Sequence, residues 1–78
     1  MPKFFFDFFD SGEVTPDNRG TELHGVDAAK QEAAKTLGAI VGDMLPGSLR
    51  EFEIKIRDDA DRSLGVVAVK LEMRASAL

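Results

Sequence analysis

Glu51-Phe52-Glu53-Ile54-Lys55-Ile56-Arg57 alternates without a break between charged and apolar residues. That period of two over residues 50–57 marks a half-buried strand. Phe52, Ile54 and Ile56 must face a core, while Glu51, Glu53, Lys55 and Arg57 face the other way. A sheet with one apolar and one charged face is antiparallel and covered on one side only. Asp58-Asp59-Ala60-Asp61 reads as the turn that follows, with Asp61 suited to a left-handed conformation. Residues 64–74 then supply the next strand. Its inner face is Val67, Val69, Leu71 and Met73; its outer face is Val66, Ala68, Lys70, Glu72 and Arg74. The tail 75–78 is expected to fray.

Moving towards the N-terminus, the periodicity changes. Ala29, Ala33, Leu37, Ile40, Val41 and Met44 share one side at ~100° per residue, the signature of an amphipathic helix. Asp27 is the expected N-cap, Met44 the expected end, and Pro46-Gly47 the stop. Gln31, Lys35, Gly38 and Gly42 lie opposite. Lys3 to Asp10 is an aromatic strand ended by Asp10-Ser11-Gly12. Phe4, Phe6 and Phe8 share one face; Phe5, Asp7 and Phe9 share the other. Glu13 to Arg19 reads as loop, and residues 20–24 as a short strand at best. A helix of ~18 residues spans ~27 Å and a strand of eight ~26 Å, so one helix can cover the long strands. The expected fold is a single α+β domain over 1–78. It has two layers, one helix on an antiparallel sheet of three to four strands, in chain order β-β-α-β-β and spatial order 2-1-3-4. Phe6, Ile40, Ile54 and Val69 are its expected core.

The opening Met1-Pro2-Lys3-Phe4-Phe5-Phe6-Asp7 resembles a family of short, uncharacterised alphaproteobacterial proteins, a domain of unknown function. The resemblance continues through Asp17-Asn18-Arg19-Gly20-Thr21-Glu22-Leu23, through Asp27-Ala28-Ala29-Lys30-Gln31-Glu32-Ala33, and through Ile56-Arg57-Asp58. Asp61 stands where that family usually has Gly, and Phe9 where it often has a polar residue. The resemblance implies the same fold and carries no activity with it.

Composition excludes several classes. The chain has 78 residues, is 44% hydrophobic and 31% charged, and carries a net charge of −4. An acidic chain without a Lys/Arg run is not expected to bind nucleic acid, whose phosphates call for a basic face. The sequence contains no cysteine, which removes thiol chemistry and fits a reducing cytoplasm. No apolar run approaches the ~18 residues of a membrane span. Asp7 interrupts the opening aromatics, so they read as strand and not as a signal peptide.

The chemical motifs are sparse. His24 is the only histidine, a poor metal site without partners. Asp59, Asp61 and Ser63 begin like a calcium loop, but Leu64 stands where Gly is required and Lys70 where Glu is. Asp7, Asp10, Glu13 and Asp17 could be paired carboxylates, yet acid–base work needs a cleft that a domain this thin does not promise. The serines lack a nucleophile elbow and the glycines a phosphate loop. No catalytic, metal or cofactor site is therefore expected, and the protein is read as a non-enzyme. Gly38 and Gly42 make a G-x-x-x-G on the helix side given to solvent.

Phe5 and Phe9 carry the functional expectation. With Val66 and Ala68 they form an apolar strip on the open sheet face, rimmed by Asp7, Glu51, Glu53, Lys55, Arg57, Lys70 and Glu72. Apolar area with a charged rim is interface composition. Asp7 is expected to find Lys55, Arg57 or Lys70, since a carboxylate in a dry interface is costly unless paired. The expected function is a small non-catalytic protein–protein interaction module, a homo-oligomer through the open face or the edge of the last strand, with room for an unidentified protein partner. The alternatives are an antitoxin-like regulatory partner, distantly similar to antitoxins of the HicB type, or a small-molecule-binding domain.

Overall fold

A computed structural model describes residues 1–43 and 50–72. Within them lie β1 (Lys3–Asp10), β2 (Glu13–Thr15), β3 (Thr21–Glu22), α1 (Val26–Gly42), β4 (Arg50–Asp58) and β5 (Ser63–Leu71). The sheet is antiparallel throughout, in the order β2-β1-β4-β5, with β3 also on β1. This is an α+β fold of one helix on one face of the sheet, with the 2-1-3-4 order that the sequence predicts. Met44, Pro46, Gly47, Met73, Arg74 and the tail 75–78 lie outside the described residues.

The structure adds one strand and corrects several details. Residues 13–15, expected as loop, pair with β1, with Asp10 opposite Glu13 and Phe8 opposite Thr15. The reason is the turn. Ser11 and Gly12 both have positive φ, 48° and 94°, as a two-residue type I′ hairpin demands. Such a turn returns the chain directly along β1. At the other hairpin Asp61 takes the left-handed conformation, φ 63°. The Asp58 carboxylate fixes that turn, accepting from the N–H groups of Ala60 and Arg62, each at 2.9 Å. The Asp27 cap is corrected too. Gly25 occupies the N-cap position with no side-chain bond, and Asp27 sits inside the first turn, where its charge favours the helix dipole. Among the described residues the last strand runs from Ser63 to Leu71.

The core is Phe4, Ala29, Ala33, Leu37, Phe52, Ile54 and Ile56, all buried. The predicted Ile54 belongs to it, but Phe6, Ile40 and Val69 are only partly buried against it. For Phe6, position relative to the helix explains the difference. α1 packs on β4 and β5, so the far end of β1 lies beside its shadow. There Phe8 stacks on Phe52, ring centroids 5.8 Å apart. Gly38 and Gly42 are exposed, and a Cβ on either would meet nothing within 4 Å.

Candidate functional site

The register brings the open face together in rows. Phe5 lies opposite Arg57, Asp7 opposite Lys55, and Phe9 opposite both Glu53 and Val14. On the far side Lys55 lies opposite Val66, Glu53 opposite Ala68 and Glu51 opposite Lys70. The predicted strip and its rim, as far as Lys70, therefore share one face. Their contacts divide it into two halves.

Over β1 the rings are roofed by cations. The Arg57 guanidinium carbon lies 4.6 Å from the Phe5 ring centroid, and Lys55 Nζ lies 4.6 Å from that of Phe9. Such cation–π contacts shield the ring while leaving the charge in water. Arg57 also makes the pairing expected for Asp7. Its Nε donates to Asp7 Oδ2 at 2.8 Å and its Nη2 to Asp7 Oδ1 at 3.3 Å. A two-pronged guanidinium–carboxylate bond is both stronger and better oriented than a single one.

Asp17 completes this cluster; from the sequence it is a loop residue, weighed only as one of four possible paired carboxylates. Its carboxylate accepts from the N–H groups of Phe6, Arg19 and Gly20, each at 3.0 Å. Its own N–H donates to Asp7 Oδ1 at 2.9 Å, and its carbonyl accepts from Arg57 Nη2 at 2.8 Å. The Phe6 N–H points out of the edge of β1 in the gap between β2 and β3. Asp17 fills that gap as a strand would. The signal in the sequence was Asp17 three residues before Gly20, the spacing of a side chain that closes its own turn. Gly20 is needed there for two reasons. Its φ is +72°, and a Cβ would stand 2.9 Å from Phe5 Cε1.

Electrostatics give the cluster one protonation state. Burial alone pushes the Asp7 carboxyl up, but the bond from Arg57 and the Asp17 N–H favour the anion and hold it below the usual value. For Asp17, burial is likewise outweighed by the N–H groups of Gly20, Phe6 and Arg19, and the Arg57 charge adds to them. Asp58 is lowered chiefly by the Arg62 N–H, against a smaller opposing effect of burial. Carboxylates held ionised and bonded on several sides in this way act as clamps between the loop and the strands. Lowered carboxyl values stabilise the fold above the unfolded value of about 3.9, and that stability is lost as pH falls through the folded values beneath it. The melting temperature should therefore drop on acidification below about pH 4. Asp7→Asn should melt lower than wild type at neutral pH and lose less on acidification, as thermal melts by circular dichroism from pH 7 to 2 would show.

Over β5 the face is not roofed in this way. Val66 is 51% exposed and Ala68 beside it is exposed as well. At the end of the sheet a depression of about 490 Å³ is lined by Phe9, Ser11, Gly12, Glu51, Glu53 and Lys70, among others. Its rim side chains are mostly exposed, unlike the convergent polar groups of a ligand site. His24 is exposed and apart from this cluster. Among the described residues no three His, Asp or Glu side chains gather to hold a metal ion, and no helix is long and apolar enough to cross a membrane.

These features define a two-layer α+β domain whose open sheet face is half clamped by ion pairs and half apolar. Residues 3–70 match the family described as Domain of unknown function (DUF6894). The chain belongs to that family. No curated protein and no solved structure matches it.

Proposed function

We propose that this domain is a small, non-catalytic protein–protein interaction module of the cytoplasm that self-associates through the β5 side of its open sheet face. The observation that supports this is the half-exposed Val66 beside Ala68, both in the strand that ends the sheet order. Phe5 and Phe9 flank this area, with Arg57 and Lys55 over them as a charged rim. A small apolar centre inside such a rim is how non-obligate interfaces are built. The reading predicts concentration-dependent association of the wild-type chain. Sedimentation velocity from low to high micromolar concentration should show a monomer giving way to a dimer. A monomer throughout that range would overturn it.

A further inference from the structure

β5 ends the strand order, so one row of its backbone N–H and C=O groups points away from β4. Such edges template further pairing, and folded proteins blunt them with short strands, prolines, bulges or charges. The two edges of this sheet are treated differently. On the β1 side, β2 and β3 are only 3 and 2 residues long, Pro16 follows β2, and Asp17 plugs the gap at Phe6. On the β5 side stands a strand of 9 residues, SLGVVAVKL, with no proline and with Lys70 as its only charge. Its irregularity falls beside Ile56 and Arg57, at its first residues. From Gly65 to Leu71 the strand is regular, and among the described residues no strand pairs with its outer edge.

Building on the self-association proposed above, we infer that this edge pairs antiparallel with the same edge of a second copy, about a two-fold axis at Ala68. The two sheets become one. This centre uses the whole regular stretch. Gly65 of one copy stands opposite Leu71 of the other, Val66 opposite Lys70, and Val67 opposite Val69. Each pair matches side chains of the same face, as an antiparallel register must. Centring on Lys70 would set like charges against each other. Centring on Val67 would bring the irregular start of β5 into the pairing.

The helical layer fits the same arrangement. α1 lies over β4 and β5. With strands ~4.8 Å apart, extending the sheet through β5 sets the second helix ~10 Å from the first. That is the spacing of packed helices. The flank of α1 over β5 carries Lys30, whose Cε lies 3.4 Å from where a Cβ on Gly65 would stand. Exposed Ala34 and Gly38 follow Lys30 at helical spacing on that flank, so beyond Lys30 it carries small residues at these positions.

The absence of cysteine from the sequence makes the test direct. In the full chain, Ala68→Cys should cross-link to itself with a short bis-maleimide linker. Val14→Cys, an exposed position on the opposite edge, should not. The double change Val66→Lys, Ala68→Lys places charges at exposed positions. It should keep the wild-type circular dichroism spectrum and raise the dimer dissociation constant at least about tenfold by like-charge opposition. If wild type dimerises but Ala68→Cys does not cross-link, edge pairing is overturned while self-association stands; if the double-lysine variant dimerises as tightly as wild type, both the edge pairing and an interface at Val66 and Ala68 are overturned. A wild-type monomer at high micromolar concentration overturns both.

Discussion

Leu37→Ala should lower the stability of this domain by about 2–5 kcal/mol, a large share of the roughly 5–15 kcal/mol that holds a typical domain folded. Leu37 is 2% exposed and belongs to the core cluster with Phe52, Ile54 and Ile56. The substitution removes the transfer free energy of the lost carbons and leaves a cavity. Ala29 and Ala33, the other buried residues of α1, are too small to fill it. Ile40→Ala, at a partly buried site on the same helix, should cost distinctly less. Urea denaturation of the two variants would measure both. Equal losses would mean that the helix is rotated from the face described here.

Gly20→Ala should be the most damaging single change outside the core. A residue other than glycine in the left-handed region costs about 1–2 kcal/mol. The added Cβ would also press on Phe5 Cε1 at 2.9 Å and Lys3 Cγ at 3.0 Å. Phe5 has little freedom to yield, since Arg57 lies on its ring and is itself held by Asp7. Overpacking of this kind adds about 1–3 kcal/mol, for a total of roughly 2–5. Gly12→Ala provides the comparison. Gly12 also has positive φ, but a Cβ there would meet nothing within 4 Å. The difference between the two variants in thermal and urea denaturation isolates the packing against Phe5. If they are equally destabilised, Gly20 matters through its backbone conformation alone. The damage should also be local, with faster hydrogen exchange at the Phe6 and Gly20 amides that Asp17 holds.

The long elements were legible because each repeats one simple period. Residues 50–57 alternate, residues 27–41 recur at helical spacing, and the aromatic run 3–10 has a strand's composition. Short elements lack that redundancy. Glu13–Thr15 has three residues, too few for a period, and only the conformation of Ser11 and Gly12 reveals that it turns back. The helix start was misplaced for a related reason. An acidic residue before an apolar stretch reads as a cap, but an extended Gly25 followed by Val26 begins the helix earlier, and Asp27 serves from within the first turn. Among the site residues, the sequence reading placed Phe5, Asp7, Phe9, Lys55, Arg57, Val66, Ala68 and Lys70 on one face through alternation. It also named Arg57 among the three possible partners of Asp7. It missed Asp17 and Gly20, whose role depends on a loop folding back onto β1.

Local chemistry along the chain thus determined the α+β class, the two-layer arrangement, the order of the long strands and the side of the sheet that stays open. Those properties follow from alternation, helical period and turn residues, which act between near neighbours. Only the tertiary structure decided which aromatic rings are roofed and which apolar residues remain uncovered. It also decided that Asp17 rather than a strand fills the gap between β2 and β3 on one sheet edge, and that β5 stands at the other. Arg57 meets Asp7 across a sequence separation of 50 residues. Arg57, Lys55 and Lys70 are all cations within reach of the open face, and no period distinguishes them. The choice among them rests on register, on side-chain reach and on the carbonyl that the Asp17 loop happens to present to Arg57.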